Sequence, residues 1–268
     1  MEPTEQTSAA EWQPPPLPPG LPQETGETMS LGQTLAGIFF EPGKTFSALR
    51  IKPRFLVAAL ITIFATTVFQ TAFIQKIGFE NILRQQLNNN PQTAQMSKEQ
   101  RENVMQMYRN PAFKVIGYVS PIVLFVFVFL IGALIYWGVA NAFGGSASFL
   151  QSLSLVVYAT LPPTLIAMLL NLIILLLKSA DDIDISSSQR GLARANLGFL
   201  VDSKSSPAAA AVLNSFDLFA FYGIFLAALG FQKIAKLSSA ASWGIAIGLW
   251  ALAVVFRLAW AIAFGVAV

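Results

Sequence analysis

Apolar and polar positions in this chain do not interleave; they come in blocks. Five apolar blocks stand out, at about Phe55–Ile74, Val115–Ala142, Phe149–Leu177, Val212–Phe231 and Ala240–Val266. A helix of about 20 apolar residues crosses a hydrocarbon core of roughly 30 Å. The pattern therefore predicts an all-α, polytopic helical membrane protein with about five transmembrane helices, spread over residues 54–268. Gly144-Gly145-Ser146 joins the second and third blocks as a tight turn. Pro162 and Pro163 lie near the middle of the third block, where they remove two N–H donors and predict a helix kink or break.

The polar intervals have their own patterns. Residues 75–114 predict two short amphipathic helices and a loop, outside the bilayer. Residues 178–213 open with Asp181, Asp182 and Asp184 and read as polar connection. Residues 30–53 look interfacial. Leu31, Leu35, Ile38 and Phe39 share one helical face. Ser30 can cap that helix, and Glu41-Pro42-Gly43 ends it. A second short helix follows, with Phe46 and Leu49 on one side and Lys44, Arg50, Lys52 and Arg54 before the first apolar block. That arrangement suits a segment lying on an anionic bilayer surface. Residues 1–29 form an acidic, Pro-rich tail that predicts disorder, with polyproline II around Trp12 to Pro22. It offers a docking peptide to a protein partner with a proline-binding groove. The plainer reading, a solvated tail, carries more weight.

Composition narrows the chemistry. Charged residues make up 12% of the chain, about half the usual share in soluble domains. Cysteine and histidine are both absent. That excludes thiolate and imidazole metal sites and any Cys or Ser-His mechanism within one chain. Carboxylate and lysine chemistry stays open. No dense basic stripe marks a nucleic-acid surface. No cofactor or metal is expected, and the lipid bilayer is the first partner.

Several motifs point to chemistry without reaching it. Gly37 to Thr45 resembles a phosphate loop, but five residues separate Gly37 from Gly43-Lys44-Thr45 where four are needed, and no strand precedes it. Asp217 and Arg257 are the charges well inside predicted spans, and ions in hydrocarbon usually have partners. Folding the last two blocks as a hairpin about residue 235 offsets the two by about 6 Å along the axis, within reach of an ion pair. The pair could gate an ion path or be purely structural. Gly244 and Gly248 form Gly-x-x-x-Gly, which serves packing within a chain or a homo-oligomer.

Phe39-Phe40-x-Pro42-x-x-Thr45-Phe46-x-x-Leu49 resembles the opening of Yip-type domains, the Ypt/Rab-interacting membrane proteins, which have many bacterial members. Gly144-Gly145-x-x-x-Phe149, Tyr158-Ala159-x-Leu161-Pro162 and Asp217-Leu218-Phe219 with Leu229-Gly230 are similar to later parts of that family. The resemblance covers roughly residues 30–265. It implies five spans, a cytoplasmic N-terminus and an outward C-terminus. It also implies a non-enzymatic role in membrane organisation, trafficking or partner recruitment. Raw Lys and Arg counts favour the opposite orientation, although the short loop with Lys233 and Lys236 supports this one. A small-solute or ion transporter or channel, using the third block and the Asp217/Arg257 pair, is the alternative.

Overall fold

The computed structural model describes residues 28–89, 93, 95–183, 191–203 and 205–266. The tail before Thr28 lies outside these residues, as does Asp184. Among the described residues the fold is helical, with one isolated bridge, Asn196 to Asp217.

Two short helices, α1 (Leu31–Phe40) and α2 (Pro42–Ile51), precede the first crossing helix, α3 (Leu56–Ile77). α4 (Phe79–Asn89) and α5 (Lys98–Arg109) fill the polar interval, as the sequence pattern predicts. Then come α6 (Pro111–Ala142), α7 (Phe149–Leu177), α8 (Pro207–Leu213), α9 (Leu218–Ile234) and α10 (Ser239–Phe264). A four-residue 3-10 turn, Leu197–Leu200, lies between α7 and α8. Four helices, α3, α6, α7 and α10, are long and apolar enough to cross a membrane. The protein is thus an all-α, polytopic membrane protein. Most of the large exposed side chains on these helices are Leu, Val, Ile and Phe, the surface that lipid rather than water would cover.

The fourth predicted span differs from expectation. It is not one helix over Val212–Phe231 but α8, a break at residues 214–217, and the 17-residue α9. The reason is local. Asp217 accepts from the backbone N–H groups of Phe219 (2.8 Å) and Ala220 (3.0 Å), capping α9. The extended residues 195–197 pair with the break through Leu218 N to Ala195 O (3.0 Å) and Leu197 N to Phe216 O (3.3 Å). Backbone groups freed by the break are therefore satisfied.

α7 is the hub. It packs on α3, α6 and α9, and its first half from Ser152 to Ala159 is buried. Ser148 and Gln151 form its capping box, which sets where it starts. It runs through Pro162-Pro163 without a break, contrary to one expected outcome. The prolines leave the carbonyls of Tyr158 and Ala159 without their intrahelical donors. Neighbouring helices cover this stretch, and Tyr158, Leu161, Pro162 and Pro163 are all buried. α9 fits against α7 through missing side chains. A Cβ on Gly230 would lie 2.6 Å from Leu155 Cγ, and one on Gly223 would lie 4.0 Å from the Ala159 carbonyl oxygen.

The crossings sort the connections into two faces. One face, here the near face, carries α1, α2, the α6–α7 turn and the α9–α10 turn. The other carries α4, α5 and the segment from Lys178 to α8. On that far face Lys76 donates to the carbonyls of Leu175 and Lys178, closing the end of α7. Arg109 of α5 meets Glu80 of α4 at 3.2 Å and Glu102 at 3.5 Å. The hydrogen bond to Glu80, then the charges of Glu80 and Glu102, raise the Arg109 guanidinium above its ordinary value. These exposed pairs orient the two helices more than they stabilise them.

Candidate functional site

Two places concentrate polar chemistry: a platform on the near face and a cavity in the far half of the bundle.

The platform begins with the Ser30/Gln33 capping box of α1. Glu41 and Pro42 then fold α2 back on α1. The pair is tight because Gly37 faces Thr45; a Cβ on Gly37 would lie 2.6 Å from Thr45 Oγ1. This close contact is what the phosphate-loop look-alike builds, with no phosphate cradle. The surface-lying reading of this segment needs correction. Thr45, Phe46 and Leu49 are buried and face the bundle, where α2 packs on α9 and α7. Ile38 is buried beside them, with Leu35 and Phe39 packed against the same core. Phe40 alone of the predicted motif points outward, at 84% exposure. The amphipathic pattern was real, but protein rather than lipid covers its apolar face.

Arg50 fastens the platform. Its Nη1 donates to the carbonyl of Ile234 at the end of α9 and to that of Ser146 (3.0 Å) in the α6–α7 turn. In return Gln151 Nε2 donates to the Arg50 carbonyl (2.7 Å). Ser146 N also donates to Ala235 O (2.9 Å), so the two turns are joined to each other. Gly144 and Gly145 are needed here. Gly144 has φ +82°, and a Cβ on Gly145 would lie 2.7 Å from the Ala140 carbonyl oxygen and 3.0 Å from that of Ala235. A groove of about 890 Å³ opens between α1, α2 and Lys233 of α9. Its lining includes Gln33, Glu41, Lys44 and Ser47, and it begins at Thr28, where the tail joins.

The cavity holds about 470 Å³. Thr160, Thr164 and Asn171 of α7 form one wall. Asn196, Asn214, Ser215 and Asp217 form another, and Arg257 of α10 reaches in. Asp217 and Arg257 are the residues that the sequence pattern offers here; Asn196, Asn214 and Ser215 arrive because residues 193–217 fold back against the bundle. Asn171 anchors that fold, accepting from Leu192 N (2.6 Å) and Ala193 N (2.7 Å). Tyr136 also lines the cavity and packs on Phe231 at 4.9 Å between ring centroids. Leu155, Tyr158 and Leu226 are buried in the bundle.

The structure brings Asp217 and Arg257 to this one cavity but does not pair them. Asp217 caps α9, whereas Arg257 Nη1 donates to Ser215 Oγ (3.2 Å). Trp250 Nε1 donates to the Ser215 carbonyl (3.2 Å), so α10 grips the break twice. The expected ion pair fails because the break turns Asp217 toward its own helix. Gly244 and Gly248 are exposed, and a Cβ on either would meet nothing within 4 Å. They do not serve packing inside the chain.

A helical membrane bundle with a broken fourth crossing and a locked helical pair on one face defines the class. The Yip1 domain pattern matches residues 36–261, most of the chain, and the protein belongs to the Yip1 domain family. It is also similar to a membrane protein of Bacillus subtilis (strain 168), YknW, with 27% identity over 229 residues, 84% of this chain and 88% of the relative. No solved structure matches the chain.

Proposed function

We propose that the protein acts without catalysis, as a membrane organiser that recruits a partner at its near face. The observation that supports this is the locked α1–α2 platform. Arg50 ties α2, which also packs on α9 and α7, to two distant turns. A rigid platform beside a mixed-charge groove suits docking, because little ordering remains to oppose binding. Thr28, the first described residue after the Pro-rich tail, lines that groove, and we assign the tail the role of a tether or docking peptide. The near face is the cytoplasmic one in this reading, so the N-terminus is cytoplasmic and the far end of α10 is outside. Self-association through Gly244 and Gly248 belongs to the same proposal.

The transport reading has the polar cavity in its favour. Tyr136, which lines it, packs against the buried Phe231, and that apolar contact weighs against a continuous path. One experiment separates the two. A photo-crosslinking residue at Phe40 or Lys52 is introduced into the full chain in native membranes, and the same chain is reconstituted for solute and ion flux. A discrete crosslinked partner, lost both in Arg50→Ala and on deleting residues 1–29, is the expected result. Specific flux that disappears in Arg257→Gln would overturn the proposal.

A further inference from the structure

The polar cavity does not stand alone. Thr66 of α3 and Phe125 of α6 line it, and the same two residues line a second space of about 840 Å³ between α3 and α6. That second space is apolar. Its lining includes Val115, Val119, Val123 and Phe127, and it runs along one side of α6. From Val115 to Phe127 is twelve helical residues, about 18 Å, close to the depth of one leaflet. A polar chamber thus shares a wall with a leaflet-deep apolar groove.

The charges in the chamber sit at a defined depth. Asp217 stands at the far end of the 17-residue α9, about 25 Å above its near end. Arg257 is 18 residues along α10, about 27 Å above its start. In a hydrocarbon core of roughly 30 Å both lie close to the far headgroup boundary. Both also have unused hydrogen-bonding capacity among the described residues. A guanidinium has five N–H donors, and Arg257 makes one hydrogen bond, to Ser215. Both N–H groups that Asp217 accepts go to Oδ1, and none to Oδ2. One cation and one anion that line the same space without touching complement a ligand that carries both signs.

We propose that the cavity is a binding site for a phospholipid with a zwitterionic headgroup bearing a primary ammonium, that is, phosphatidylethanolamine. The phosphate meets Arg257, the ammonium donates to Asp217 Oδ2, and one acyl chain lies in the α3–α6 groove. A trimethylammonium headgroup has no N–H to donate. A glycerol headgroup has no cation. Both should bind less well. The site is independent of near-face docking, so either proposal can fail alone.

The test is native mass spectrometry of the full chain, incubated in detergent with equal amounts of phosphatidylethanolamine, phosphatidylcholine and phosphatidylglycerol of matched chains. One phosphatidylethanolamine per chain should be retained over the others by at least about tenfold. Asp217→Asn, which can keep the α9 cap and removes the carboxylate, should abolish that preference, and Arg257→Gln should lower retention of all three lipids. Val119→Trp, which fills the groove away from both charges, should lower retention of all three lipids. Soluble glycerophosphoethanolamine should not displace the bound lipid. Equal retention of the three lipids overturns the proposal, as does a preference that survives Asp217→Asn. Displacement by glycerophosphoethanolamine at matched concentration would show a headgroup-only site and overturn the lipid assignment. If Asp217→Asn does not fold, the wild-type ranking and Val119→Trp still decide.

Discussion

Replacing Asn171 with leucine exchanges its amide oxygen and nitrogen for two methyl groups and keeps nearly the same shape. Asn171 is 2% exposed, and its Oδ1 accepts from both Leu192 N and Ala193 N. Leucine leaves those two donors without their acceptor beside a buried position. Each such loss costs about 1–3 kcal/mol, and water entering from the cavity side recovers part of it, giving about 2–4 kcal/mol in total. For a chain of this size, 1 kcal/mol shifts Tm by roughly 2–4 °C, so a fall of about 4–15 °C is expected. The second readout is local. Amide exchange at Leu192 and Ala193 should accelerate, because the loop loses the side chain that Gly191, at φ +115°, passes closely. Asn171→Asp keeps both acceptor contacts and should retain more of that protection than leucine does. Thermal unfolding and hydrogen exchange, both in detergent, measure the effect. A leucine variant with Tm unchanged within about 2 °C and with protected Leu192 and Ala193 amides would refute the idea that Asn171 holds the cavity wall in place.

Gly230→Ala should destabilise the fold by about 1–3 kcal/mol, since its methyl would enter Leu155, and combining it with Leu155→Ala should cost less than the sum of the two, as read by chemical denaturation. Lys76→Met should cost about 1–2 kcal/mol in the same assay and loosen the last turn of α7, whose carbonyls it now leaves to water. Gly244→Ile and Gly248→Ile should leave the monomer within about 0.5 kcal/mol of wild type, because that face of α10 has room; if the pair mediates self-association, chemical crosslinking of the dimer should be lost.

Much of the bundle was legible because its signals are local. α7 occupies the predicted Phe149–Leu177, with a capping box before it. The 75–114 interval held two amphipathic helices, as its periodicity suggested. The errors came where a local pattern has two possible partners. An apolar stripe on α2 fits lipid or protein equally well, and burial of Phe46 and Leu49 was a tertiary outcome. Asp217 before an apolar run was an N-cap signal of the ordinary kind. The apolar block continues on both sides of it, so the sequence alone presents it as a charge within a span. The Asn214-Ser215-Phe216-Asp217 cluster was the available clue to a break. Of the cavity, the two charges were legible, but Asn196, Asn214 and Ser215 come from a polar stretch held to the bundle by Asn171 and by the pairing of residues 195–197 with the break.

The Arg50 clamp also orders the making of the protein. Its acceptors on Ser146 and Ile234 lie 96 and 184 residues further along the chain. Chains are synthesised from the N-terminus, and early segments wait for later ones. The platform emerges before either acceptor, yet it cannot be fastened until the last carbonyl of α9 has arrived. A partner that requires the fastened platform would therefore meet only molecules whose insertion is nearly complete, which makes the near face a built-in check on assembly.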